Sequence, residues 1–82
     1  MQNSGVTSYQ PLADGIVLQA VADYRNALAG EGYGRYSAED VVRECERFFR
    51  SEYFWLLTRV SGEYLIEELR KEVQGEKENE QI

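Results

Sequence analysis

Apolar positions recur at helical spacing along three stretches of the chain. Val17, Val21, Tyr24 and Leu28 fall at i, i+4, i+7 and i+11, with Ala13, Ala20 and Ala27 alongside. That is one stripe of an α-helix. Pro11 suits a first helical turn, Asp14 is a second plausible start, and Gly30 sits where a left-handed cap ends a helix. A second stripe runs through Val41, Val42, Cys45, Phe48 and Phe49. Ser37 precedes it as an N-cap, with Asp40 in the reciprocal capping-box position. Glu39–Arg43 and Glu46–Arg50 are i,i+4 pairs in the favourable orientation. A third stripe joins Leu65, Ile66, Leu69 and Val73, after the punctuation of Ser61 and Gly62 and before Gly75.

The phase of Glu52 breaks this pattern. Continued straight on, the second helix would place Glu52 in the middle of its apolar face, and a buried, unpaired carboxylate is costly. Ser51 stands immediately before it as a good N-cap. A reorientation is therefore expected at residues 50–51, followed by a short helix with Glu52 in its exposed first turn. The alternative is one long helix with Glu52 at its edge. The expected fold is all-α: a small bundle of three main helices, about 12–29, 38–50 and 62–74, with a short helix at about 52–58. Residues 11–74 form a single helical domain on this reading. Residues 1–10 are a polar, flexible N-terminal arm, and 75–82 a charged, disordered acidic tail. The segment 30–36 has three glycines in five positions and reads as a flexible loop.

Size and composition limit what such a bundle does. Eighty-two residues bury a modest core. One Cys excludes an internal disulfide, and a lone Cys without His gives no zinc-site spacing. No cofactor is implied. Oligomerisation is the remaining way to reinforce so small a domain, which points to a homo-oligomer, a dimer first. The net charge is −6; without the tail, twelve acids against eight bases leave −4. That field favours solubility and repels nucleic acid at long range. No run approaches the ~18 apolar residues of a membrane span. The apolar stretch 16–22 ends in Ala20-Val21-Ala22, yet Asp14 is the only charge before it, where a signal peptide carries Lys or Arg. An unpaired Cys and no export signal fit a reducing cytoplasm.

Candidate chemistry is sparse. The commonest general base is missing, so the chain is expected not to be an enzyme. Cys45, between Val41 and Phe48 on an apolar stripe, reads as a small hydrophobe. Glu63–Glu67 and Glu68–Glu72 read as a solvated acidic face rather than a metal site. The glycine-rich loop lacks the Lys-Ser/Thr of a phosphate-binding loop. Arg43, Arg47 and Arg50 form an approximate stripe, with Arg59 in the following turn. Acids dominate the outer face of the last helix, so direct nucleic-acid binding is disfavoured.

What remains is contact with protein. Phe48, Phe49, Tyr53, Phe54 and Trp55 lie within eight residues, and they cannot all point inward from two turns of helix. Phe48 and Phe49 are expected to close the core. Phe54 and Trp55 either complete the bundle or meet a partner. With Tyr33, Arg35 and Tyr36 of the loop, and Tyr64 on the polar side of the last helix, they make the candidate interaction surface.

The segment ECERFFRSEYFWLLTRVSGEYLI, taken with the earlier ADYRNAL, resembles a family of small uncharacterised proteins from Gram-positive gut bacteria, often associated with mobile elements or prophages. The resemblance spans roughly residues 22–70. It implies a bacterial cytoplasmic setting and a mobile-element context, and it carries over no functional residue.

Overall fold

A computed structural model describes the backbone of residues 4–80 and the side chains of residues 13–75. Four helices account for the regular structure of the described residues: α1 (Ser4–Leu28), α2 (Ala38–Phe49), α3 (Glu52–Thr58) and α4 (Gly62–Glu80). Helix α1 packs on the other three, and α2 packs on α3 and α4.

The local signals that start and stop these helices act as their chemistry dictates. At the end of α1, Gly30 adopts φ +101°. Its N–H reaches the Ala27 carbonyl at 2.9 Å, and the Glu31 N–H reaches Asn26 at 2.9 Å. These two bonds are a Schellman closure. At the start of α2, Ser37 Oγ accepts from the Asp40 N–H at 3.1 Å, and the Asp40 carboxylate accepts from the Ser37 N–H at 3.3 Å. The capping box is closed with Asp in place of Glu. Ser61 Oγ accepts from the Tyr64 N–H at 3.3 Å and caps α4.

The reorientation after α2 falls where Glu52 required it. Helix α2 stops at Phe49, Arg50 is its C-cap, and Ser51 starts α3 from an extended conformation. Ser51 Oγ donates to the Phe48 carbonyl at 2.6 Å and accepts from the Phe54 N–H at 3.1 Å. Glu52 is exposed. The single long helix is thereby excluded.

Both terminal boundaries are corrected. Helix α1 begins at Ser4, not near residue 12, so backbone expected to be a loose arm is helical. Pro11 lies inside the helix and not at its first turn; lacking an N–H, it removes one intrahelical bond without ending the helix. Helix α4 runs through Gly75 to Glu80, into the stretch expected to be a disordered tail. A glycine costs only about 1 kcal/mol relative to alanine inside a helix, and its neighbours absorb that. Residues 1–3 and 81–82 of the expected arm and tail lie outside the described residues.

The core is built on aromatic rings from three helices. Tyr24, Phe49 and Phe54 are fully buried, with Ile66 and Leu69 completing the cluster. Tyr24 meets Phe49 edge-on at 5.3 Å between centroids, and Phe49 meets Phe54 at 5.4 Å. Such T-shaped contacts are worth about 0.5–1.5 kcal/mol each beyond area burial. Phe48 is half-buried and packs against this cluster, 5.5 Å from Phe54. Val17, Ala20, Val21 and Leu28 of the α1 stripe pack around it. Ala13 and Ala27 are buried on the same helix, as is Val73 on α4.

Helices α2 and α4 approach closely at one point. A Cβ placed on Gly62 would lie 2.6 Å from the Phe49 carbonyl carbon and closer still to its oxygen. Only glycine lets the first turn of α4 rest against the last turn of α2.

Candidate functional site

Two surfaces stand out on this frame. The first is the end of the bundle made by α3, its exit and the start of α4. Phe54 was expected among the exposed candidates; it is instead 1% exposed and belongs to the core. Its neighbours take the opposite position. Tyr53, Trp55, Leu56 and Val60 are 53%, 46%, 59% and 40% exposed. Tyr53 and Leu56 sit one turn apart, within side-chain reach of each other. Trp55 and Val60 line one shallow cleft beside Ser61 and Gly62. Arg59, the C-cap of α3, holds φ +60°. That is an uncommon conformation for a residue with a Cβ. Its guanidinium lies 5.6 Å from the Trp55 ring centroid, within cation–π range. Tyr64 is exposed on α4, as its position on the polar side implied.

The second surface is a cleft between α1, α2 and the connection joining them. The connection is not a featureless loop. Tyr33 and Tyr36 exchange both backbone hydrogen bonds, at 3.0 and 2.9 Å, as an isolated antiparallel bridge. Gly34 makes the tight turn between them at φ +60°. A Cβ on Gly32 would strike the Tyr36 carbonyl and come within 3.3 Å of the Ala38 nitrogen. The glycines therefore serve a compact turn. Both tyrosines are exposed and border the cleft; Asp23 borders it from α1, and Val41, Glu44 and Cys45 from α2. Arg35, at the tip of the turn, is exposed.

Cys45 sits at the inner edge of this cleft. Its thiol donates weakly to the Ala20 carbonyl at 3.8 Å. Burial pushes it up to about 11, and the negative charges of Asp23, Glu46 and Glu44 push the same way. A thiol so held is a poor nucleophile at neutral pH.

The arginines of α2 are already matched with acid. Arg43 pairs with Asp40 at 3.1 Å rather than with the expected Glu39. Arg47 faces Glu44 at 3.8 Å. Arg50 faces Glu46 at 3.6 Å, the expected i,i+4 pair, and also binds Glu63 across the α2–α4 contact. A phosphate backbone meeting this stripe would compete with four carboxylates.

A polar network that sequence reasoning missed ties three helices together. The Tyr24 hydroxyl, at the end of a buried ring, donates to Glu46 Oε2 at 2.7 Å and accepts from Arg70 Nε at 3.2 Å. Arg70 also binds Glu46 directly. Burial alone would raise the Glu46 carboxyl, but the Tyr24 hydroxyl and Arg70 bring it below the ordinary glutamate value. The same arrangement pushes the Tyr24 phenol up to about 12, through burial first and the Glu46 hydrogen bond second. No buried side-chain nitrogen or oxygen among the described residues is left unpartnered. This network has every mark of a structural tie. The only sequence clue was a tyrosine on an apolar stripe, whose hydroxyl needs a partner when buried.

No helix among the described residues is long and apolar enough to cross a membrane. Comparison with family models, curated proteins and solved structures finds no match.

Proposed function

We propose that this chain is a small, non-enzymatic bacterial protein of the cytoplasm that acts through protein–protein contacts and self-associates, as a dimer first. The contact is the α3 end of the bundle. One observation carries the reading: Tyr53, Trp55, Leu56 and Val60 stand exposed within eight residues, although the Phe54 among them is buried. Concentrated exposed apolar surface of this kind marks a partner site. Tyr and Trp are also the residues that most often anchor interfaces. The non-enzymatic part rests on the lack of histidine and on a Cys45 thiol held in its protonated form.

Light scattering and sedimentation across a concentration series test this reading. Self-association should appear in the wild-type protein and be lost in Trp55→Glu and Leu56→Glu, with melting temperature little changed. A wild-type chain that stays monomeric at high concentration overturns it.

The second reading is an accessory of DNA transactions in a mobile element. The net charge of −6 and the acid-matched arginines favour its acidic version, in which the protein occupies a basic DNA-binding surface. A pull-down that recovers a DNA-binding partner supports that version. Salt-dependent binding to duplex DNA would instead support a direct role.

A further inference from the structure

The cleft between the Tyr33–Tyr36 turn and helices α1 and α2 has a chemistry that the α3 end lacks. In an antiparallel bridge the two opposed residues, with Cα atoms about 5.5 Å apart, project their side chains to the same side of the ribbon. The bridge therefore presents Tyr33 and Tyr36 as a pair, and neither ring stacks on another aromatic among the described residues. Across the cleft, Asp23 is half-buried and accepts only from Gln19 Nε2, at 3.0 Å; it meets no cation among the described residues. Asp40 is neutralised by Arg43, which also lines the cleft, and Glu44 pairs with Arg47 at 3.8 Å, so Asp23 is the lining carboxylate left without a cation. The cleft thus combines two exposed tyrosines with one carboxylate, Asp23, that meets no cation among the described residues.

We propose that this cleft receives an arginine or lysine side chain from a basic segment of a partner protein, its cationic head held between the two tyrosine rings and Asp23. Ring faces attract a cation through their quadrupole, and more so where water is partly excluded. Asp23 supplies the counter-charge. Burial is the first cause of the raised Cys45 thiol, and the negative charges of Asp23, Glu46 and Glu44 that add to it have the sign that draws a cation in. The net charge of −6 favours approach of a basic partner over a second copy. Most of the chain's own described cations are already paired with carboxylates.

This binding goes beyond the self-association proposed above and does not depend on it. The probe is an octa-arginine peptide, titrated into the isotopically labelled full chain at about 0.15 M salt, where long-range attraction is screened. Saturable shifts are expected at residues 23, 33–36 and 40–45. Asp23→Asn and the double variant Tyr33→Ala/Tyr36→Ala should each weaken binding about five-fold or more. Glu67→Gln/Glu68→Gln, on the exposed face of α4, should leave it unchanged. Amide spectra confirm that each variant is folded. Trp55→Glu should keep peptide binding even where it abolishes self-association, so the two proposals fail separately. The inference is overturned by three outcomes: no saturable binding, shifts centred on α4, or equal weakening by the α4 variant. It is also overturned if Arg35→Ala dissociates an oligomer, because a second copy would then fill the cleft.

Discussion

Replacing Gly62 with alanine should destabilise the protein, against the usual sign for a helical glycine. Removing backbone freedom from the unfolded chain normally stabilises by about 0.4–1 kcal/mol where the native conformation permits a Cβ. Gly62 has no positive φ, so its backbone raises no objection. The space does. The added Cβ would lie 2.6 Å from the Phe49 carbonyl carbon, where ordinary contact begins at 3.4 Å, and nearer still to the oxygen. Both are backbone atoms of a helix end, so no side chain can rotate away. Helix α4 must retreat from α2 by about an ångström. That loosens Ile66 and Leu69 in the core and the Arg50–Glu63 pair. Overpacking of this kind costs about 1–3 kcal/mol. Set against the entropic gain, the net loss is about 1–2 kcal/mol. For a domain of this size that lowers the melting temperature by roughly 5–15 °C. Urea denaturation followed by circular dichroism measures it, and an unchanged slope against urea shows that the loss is one of stability. Gly75→Ala is the matched control: nothing lies within 4 Å of its Cβ, and it should gain about 0.5–1 kcal/mol. A Gly62→Ala protein as stable as the wild type would refute the close approach of α2 and α4.

Phe54→Ala should cost about 3–5 kcal/mol and leave little folded protein, whereas Trp55→Ala next to it should cost under about 1 kcal/mol; urea titrations that reverse this order would refute the assignment of Phe54 to the core. Stability should fall at both ends of the pH range. The depressed Glu46 carboxyl contributes stability that is present above its ordinary 4.5 and lost as pH drops through its folded value. The raised Tyr24 phenol contributes stability that is present below 10.0 and lost as pH climbs towards about 12. Tyr24→Phe should flatten both limbs, which thermal melts across pH would reveal. Finally, iodoacetamide at pH 8 should modify Cys45 about 100-fold more slowly in the folded protein than in urea, because the raised thiol holds less thiolate; equal rates would place the thiol in open solvent.

The parts of the fold that local chemistry decides were legible in the sequence. The phase of Glu52 and the presence of Ser51 located the α2–α3 break, and Gly30, Ser37 and Ser61 acted as caps as their residue types demand. Pro11 and Gly75 misled because neither penalty, about 3 kcal/mol for an interior proline and about 1 for a glycine, ends a helix whose flanking turns continue it. The exposure of Phe54 and Trp55 could not be read, since a seven-residue helix gives several possible buried faces. Packing against α1 chose the one containing Phe54. The Tyr24–Glu46–Arg70 network joins residues 22 and 24 positions apart, and within the sequence Glu46 only showed its local partner Arg50. The cleft was hidden because three glycines suggest slack, whereas Gly30 closes α1 and Gly32 and Gly34 allow Tyr33 and Tyr36 to bridge.

The hydroxyl of Ser51 spends its single proton on the Phe48 carbonyl and its lone pair on the Phe54 N–H. One oxygen thus fastens the end of one helix to the beginning of the next. Fraying of one side therefore disturbs the other: the Phe48 carbonyl, which the Ser51 N–H also binds at 3.0 Å, and the Phe54 N–H share that oxygen. The bend is a latch rather than a hinge. Amide hydrogens on its two sides should exchange with solvent as one cooperative unit, at matching rates.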